Sequence, residues 1–277
     1  MPRLTTRFKA FFFIGIVALT LALAGYLDRA YQVPVLMYHH IDANSATSRL
    51  SVSPESFDRQ LRFLSEHQYR VMPLSEYAEL LRSGRKHPKR TVVMTFDDGY
   101  ADNYTAAFPL LKKYEFPGTV FAVVDWIGSP GMLTWPQMRE MVAGGLIDIG
   151  SHSLTHCDLA QAQPEELRRQ LIESKQILET GLQDSVDFLC YPCGFFTQAV
   201  LETVKAAGYK GACATHPGKE ISLQNEYAMR RIRISGSADN VWIFRAQISG
   251  YYNFLKDHRV NTKRVRRSSA AAGGTEE

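Results

Sequence analysis

The chain has 277 residues, 45% of them hydrophobic, and a formal net charge of +4, which is enough apolar material for one core of about 200–250 residues. That charge is unevenly placed: residues 1–9 carry Arg3, Arg7 and Lys9 and no acid, residues 256–277 carry six Lys/Arg against three acids, and the body between is slightly acidic. A nucleic-acid-binding face on the body is argued against on this ground, and four cysteines are too few for a disulfide framework.

Behind the basic flank of residues 1–9, residues 10–27 (AFFFIGIVALTLALAGYL) contain no charge. Such a segment is a transmembrane anchor with its N-terminus in the cytoplasm, or a signal peptide for which Ala22-Leu23-Ala24 offers a cleavage site. The length of the run favours the anchor. Both readings place the rest of the chain in the periplasm or outside the cell, and a cleaved segment would leave it secreted.

The body, residues 28–255, alternates strand and helix patterns. Residues 33–40 (VPVLMYHH) read as a first strand ending in His39 and His40. Ser53-Pro54 opens a helix with an apolar face at Phe57, Leu61 and Leu64, and residues 69–72 form a short strand. Ser75 caps a second helix that Ser83-Gly84 stops. Residues 91–96 form a buried strand that runs into Asp97-Asp98-Gly99-Tyr100. A helix over 104–114, a strand over 118–124 and a helix from Trp135 to Ala143 follow. Residues 146–150 are a strand leading into Ser151-His152-Ser153-Leu154-Thr155-His156. Then come a long helix from Pro164 to about Gly181, a strand over 187–190, a helix over 197–208 and strands over 211–215 and 230–235. An amphipathic helix from Asp239 to Phe254 closes the body, and residues 256–277 form a basic tail without periodicity. About seven such alternations imply parallel strands and an α/β fold. The polar clusters all fall at strand C-terminal ends, where such folds gather their active sites.

Two adjacent carboxylates at a strand end repel each other unless a cation or proton intervenes. Asp98, His152 and His156 together offer one carboxylate and two imidazoles to a single divalent ion, provided that Ser153 opens a helical turn so that the two histidines face the same way. That set leaves positions open for water and substrate, as catalytic sites require. Zinc is the default ion and cobalt or nickel fit the same donors, while non-haem iron oxygenases use the same ligand types. Asp97, adjacent but not needed as a ligand, can deprotonate a water. Hydrolysis is the economical reading. One other reading of the residues competes, a thiol–disulfide protein using Cys190 and Cys193, whose C-x-x-C spacing lies between a strand and a helix.

TFDDGY followed by S-H-S-x-x-H closely resembles the first two motifs of the polysaccharide deacetylases, carbohydrate esterase family 4. PVLMYHH, LTWPQMREM, the YPxG of Tyr191-Pro192-Cys193-Gly194 and RRIRISG resemble the branch that includes poly-N-acetylglucosamine deacetylases. The resemblance spans about residues 34–252. It implies a distorted, incomplete (β/α) barrel and metal-dependent removal of acetyl groups from N-acetylated glycans. It also implies Asp97 as base, the backbone N–H of Cys193 in the oxyanion site, and Trp135 and Tyr191 lining the sugar groove with Pro192, Gly194 and His40. Two features depart from the family pattern. Cys190-Tyr191-Pro192 stands where many members have Arg-x-Pro, leaving Arg231 or Arg233 as substitute braces for the base. The late Leu-x-His that supplies the general acid is not visible, leaving His39, His40 or His216. These two departures leave a catalytically inactive carbohydrate-binding relative as the alternative that the resemblance allows, and no feature identifies a protein partner.

Overall fold

The computed structural model describes residues 6–42, 50–214 and 225–254, so His216 and the basic tail lie outside the described residues. The chain divides into two compact units, one of residues 33–249 and one combining the N-terminal segment with the residues after Ser249.

In the second of these, helix α1 (Thr6–Ala30) has 25 residues, about 37 Å at 1.5 Å per residue. Phe13–Ala30 is long and apolar enough to cross a membrane, and none of it is buried. Beyond the helix the Gln32 N–H donates to the Gly250 carbonyl at 3.0 Å, and Tyr31 meets Tyr251 edge to face with ring centroids 5.6 Å apart.

The 33–249 unit is built on strands β1 (Val35–Tyr38), β2 (His40–Ile41), β3 (Ser51–Val52), β4 (Arg70–Val71), β5 (Thr91–Phe96), β6 (Gly118–Ala122), β7 (Ile147–Ser151), β8 (Phe188–Cys190), β9 (Gly211–Ala214) and β10 (Met229–Arg233). Seven of them, β1-β5-β6-β7-β8-β9-β10, pair in parallel, and β10 returns to β1. The barrel is incomplete only in having seven strands rather than eight, because the ring itself closes. β4 pairs with the start of β5 (Arg70↔Thr91) and β1 takes over from Val93. β1, β5 and β6 are buried at every residue, as continuous apolar strands covered on both faces must be.

The helices around the ring are α2 (Pro54–Glu66), α3 (Leu74–Ser83), α4 (Phe108–Tyr114), α5 (Trp135–Ala143), α6 (Pro164–Leu182), α7 (Gln198–Ala206) and α8 (Val241–Gln247). Their starts follow local rules. Ser53 accepts from the Ser56 N–H ahead of Pro54, and Thr134 and Gln137 form a capping box on α5.

Four expectations change. The first strand stops at Tyr38, and His40 belongs to the short β2–β3 pair. α3 begins at Leu74 rather than at a Ser75 cap. The 104–114 helix splits into a π-turn (Asn103–Ala107) and α4, with Pro109 in the first turn of α4, where its missing N–H costs nothing. The closing helix runs only over α8, because Gly250 adopts φ +81°, a left-handed value at which an α-helix ends. With every ring strand parallel, Phe96, Ser151, Cys190 and Arg233 end on one rim, and the site assembles there.

Candidate active site

Asp97 directly follows β5, and its N–H still pairs with the Tyr38 carbonyl at 2.9 Å. The next two residues, Asp98 and Gly99, have φ of +72° and +75°. A side chain at Gly99 would also place its Cβ 3.3 Å from the Ala122 Cα, so the turn needs glycine there. This left-handed pair makes the two carboxylates diverge.

Asp97 points among the strands and is 3% exposed. Arg231 of β10 grips it with Nη1 to Oδ1 at 2.6 Å and Nη2 to Oδ2 at 2.7 Å, a fork-to-fork pair. The same guanidinium donates to Thr95 Oγ1 at 3.1 Å and to the Cys190 sulfur at 2.9 Å. Burial alone would push the Asp97 carboxyl up. The Arg231 charge and its hydrogen bonds outweigh burial and hold it well below the usual carboxylate range. Of the two arginines expected as braces, Arg231 makes this contact, and the exposed Arg233 lines the cavity mouth. Cys190 occupies the space at the guanidinium, and burial holds its thiol well above its ordinary pKa. All four cysteines are free. Cys190 is buried against Arg231 while Cys193 is exposed, so the C-x-x-C spacing does not form a redox pair here.

Asp98 faces the histidines. Its Oδ1 lies 3.4 Å from His152 Nε2 and 3.6 Å from His156 Nε2. Tetrahedral ligands about 2.0–2.2 Å from a zinc ion are about 3.3–3.6 Å apart, so the three donors fit one such ion. His152 Nδ1 lies 2.8 Å from the Cys190 carbonyl. A carbonyl can only accept, so Nδ1 carries the proton and Nε2 turns its lone pair toward Asp98. Asp97, His152 and Cys190 also lie within ligand distance of one another, but the oxygens of Asp97 are already taken by Arg231.

The two histidines do not converge through a helical turn. Ser153 and His156 both adopt left-handed φ, +67° and +62°, and the loop between them is pinned from α6. The buried Gln170 accepts from the N–H groups of Leu154 and Thr155 at 3.0 and 3.1 Å. Ser153 Oγ accepts from the His156 N–H at 3.1 Å. Burial, then the neighbouring His152, lowers the His156 pKa.

A cavity of about 230 Å³ opens over these groups, lined among others by His39, Leu50, Tyr191, Cys193 and Arg233. His39 Nε2 is 4.0 Å from Asp97 Oδ2, and burial lowers its pKa. Tyr191 is buried and stacks on Phe196, with Pro192 buried beside it. Cys193 and Gly194 turn with φ of +57° and +77°. Left-handed non-glycine residues at Asp98, Ser153, His156 and Cys193 mark the rim as strained.

Two expected groove residues lie elsewhere. His40 bonds Asp102 through Nδ1 at 2.7 Å and stacks on Tyr100, because β2 turns it away from the cavity lining. The Trp135 ring fills the space over Gly181 of α6, where a Cβ would come within 2.2 Å of it. The aromatic ring beside the histidines is Trp126, stacked on His156 at 5.3 Å. Gln170 and Trp126 escaped the sequence reading because neither belongs to a motif and only the folded loop brings them to the site.

The profile of the polysaccharide deacetylase family matches residues 84–212. YxkH of Bacillus subtilis (strain 168), which carries that family's name, is 31% identical over 220 residues, covering 78% of this chain and 77% of YxkH. The chain belongs to the polysaccharide deacetylase family. The poly-β-1,6-N-acetyl-D-glucosamine N-deacetylase of Staphylococcus aureus (strain MSSA476) is 29% identical over 203 residues, 68% of this chain and 69% of that protein. Among solved structures, Streptococcus pyogenes deacetylase PplD in complex with acetate superposes with a TM-score of 0.68 at 29% identity, covering 76% of this chain and 96% of that one. The seven-strand barrel is this family's fold, and Asp97, Asp98, His152 and His156 share one rim of it.

Proposed function

We propose that this chain is a metal-dependent hydrolase that removes N-acetyl groups from an N-acetylglucosamine-containing glycan outside the cytoplasm. One observation carries the reading: a carboxylate kept ionised by Arg231 stands next to a second carboxylate that shares its cavity with two histidines. Asp98, His152 and His156 would hold the divalent ion, zinc by default, with cobalt or nickel accepted by the same donors. When bound, the ion would polarise the acetyl carbonyl and acidify water.

The residues of the chain do the rest. Asp97 takes the proton of the attacking water as the water oxygen adds to the acetyl carbon. Arg231 keeps that carboxylate charged and fixes its plane. The backbone N–H of Cys193 donates to the developing oxyanion from the Tyr191–Gly194 wall. The C–N bond then breaks, His39 gives a proton to the leaving amine, and acetate departs. His39 is preferred to His40 because it lines the cavity and His40 is committed to Asp102. We assign α1 as the membrane anchor, with its N-terminus in the cytoplasm and the barrel on the other side.

Acetate release tests this reading, using full-length protein stripped of metal and reloaded with zinc, cobalt or nickel. The panel holds N-acetylglucosamine oligomers and polymers, with a β-1,6-linked polymer first because the S. aureus relative is named for that substrate. Release that depends on reloading is expected. No release from any glycan, with one ion bound per chain, would point instead to an inactive carbohydrate-binding relative.

A further inference from the structure

Asp102 and Asn103 take no part in the proposed chemistry, yet they hold three consecutive residues where the first strand ends. Asn103 Nδ2 donates to the His39 carbonyl at 2.8 Å. Asp102 Oδ1 accepts from the Ile41 N–H at 3.1 Å, and its Oδ2 accepts from His40 Nδ1 at 2.7 Å. Asn103 Nδ2 also donates to Asp102 Oδ1 at 3.0 Å, which joins the two grips into one clamp. Both neighbours of that amide nitrogen can only accept, so the amide has one orientation. The His40–Asp102 separation is that of a hydrogen bond, shorter than the about 3.3 Å between two ligands of one zinc ion, so the cluster is a clamp rather than a second metal centre.

The clamp is kept at a cost. Asn103 is 1% exposed, and its Oδ1 is buried with no partner among the described residues, an unfavourable burial that calls for a compensating role. Asn103 also opens the π-turn, a rare helix form that concentrates at functional sites. What the clamp holds supplies the role. The His39 ring has no hydrogen bond of its own among the described residues: Nδ1 is buried without a partner, and Nε2 stands 4.0 Å from Asp97 Oδ2, beyond hydrogen-bond reach. An imidazole held by no ring contact takes its aim from the backbone beneath it. That backbone is the peptide Asn103 grips.

We propose that Asn103, backed by Asp102, is a positioning residue that holds the 39–41 segment so that the His39 imidazole meets the leaving amine. The inference rests on the deacetylase reading and on His39 as its proton donor. Asn103 does not line the cavity, and it acts through the His39 carbonyl. As the C–N bond breaks, its electron pair stays on nitrogen, which takes the His39 proton. An aryl acetate behaves differently, because its C–O bond expels a phenolate that is stable without a proton. Water activation and the oxyanion site serve both substrates. The aim of His39 matters only for the amide.

The test compares acetate release from N-acetylglucosamine polymer with nitrophenolate release from para-nitrophenyl acetate, using full-length protein reloaded with zinc. Asn103→Ala should lower kcat on the glycan about 10–100-fold with KM held, and the ratio of glycan to aryl-acetate rates should fall with it. Added to His39→Gln, Asn103→Ala should cost nothing further on the glycan, because the residue through which it acts is gone. Equal loss on both substrates, or a further loss in the double variant, would mark a merely structural role and overturn the inference, as would an unchanged glycan rate. Should Asn103→Ala fail to fold, Asp102→Ala, at the less buried member of the clamp, takes its place with the same expectations. Wild type that releases no acetate from any glycan would overturn the deacetylase reading and the inference with it. Wild-type activity on the glycan in His39→Gln would overturn the His39 assignment and the inference while leaving the deacetylase standing.

Discussion

The two halves of the site begin at neighbouring residues of the same type and end with different partners. The Asp97 half is finished within the protein in that both carboxylate oxygens are held by Arg231, whose Nη1 and Nη2 also reach Thr95 and Cys190, while its buried Nε has no partner among the described residues. The Asp98 half is unfinished, because its carboxylate meets two imidazoles and, among the described residues, no lysine or arginine grips it. Burial opposes the charge on both. In one half an arginine offsets that cost, and in the other the donors are arranged as an ion would need them. A single left-handed turn at Asp98-Gly99 separates the proposed base from the proposed ligand.

The largest expected effect falls on the finished half. Arg231→Met leaves a buried, unpaired carboxylate and should destabilise the fold by about 3–5 kcal/mol, read from urea unfolding. Adding Asp97→Asn should restore part of that loss, since the uncompensated charge is then gone. If Arg231→Met unfolds no more easily than wild type, the two halves do not differ in the way described.

The unfinished half should respond differently. Gln170→Ala removes the pin under the His152–His156 loop, and we expect zinc affinity to fall about 10–100-fold by calorimetry. The accompanying stability loss should be about 1–3 kcal/mol, from leaving buried N–H groups unsatisfied. Unchanged zinc affinity would show that the loop holds its shape without α6. The smallest effect serves as a calibration away from both halves. His87 accepts from the Val33 N–H at 3.0 Å, and burial lowers its pKa. The unfolded chain therefore binds this proton more readily, so stability is full above the ordinary histidine range and falls as pH drops through about 6.5 toward the folded value. The Tm of metal-free His87→Gln should decline less between pH 7.5 and 5.5 than that of wild type. His39 and His156, whose pKa values are lowered in the same direction, contribute to the slope that remains.

Much of this was legible in the sequence because parallel strands write their own signature. The run 91–96 is apolar and β-branched because β5 is buried on both faces, and DDG follows because the strand must turn at once into an open rim. Asp98, His152 and His156 could be grouped because each follows such a run. What was not legible depends on side chains arriving from distant elements. Two arginines on β10 were equal candidates in the sequence. Alternation along the strand cannot choose between them, since residues two apart share a face; depth decides, because Arg231 lies buried beside Asp97 and Arg233 is the exposed last residue of β10, at the cavity mouth. Trp135 looked like a groove residue because it sits in a motif, yet its ring is needed to pack α5 on the bare backbone of Gly181. The His152–His156 spacing suggested a helical turn, but left-handed φ at Ser153 and His156 gave a pinned loop. Spacing alone cannot reveal an αL residue that is not glycine.

The central claim is that Asp97 and Asp98 divide the labour, and the most direct measurement is zinc binding and acetate release by Asp97→Asn and Asp98→Asn side by side. The account predicts that Asp97→Asn still binds one zinc ion per chain by calorimetry but releases no acetate, while Asp98→Asn loses the ion and activity together. Loss of zinc from both variants alike, or acetate release by Asp97→Asn at the wild-type rate, would contradict it.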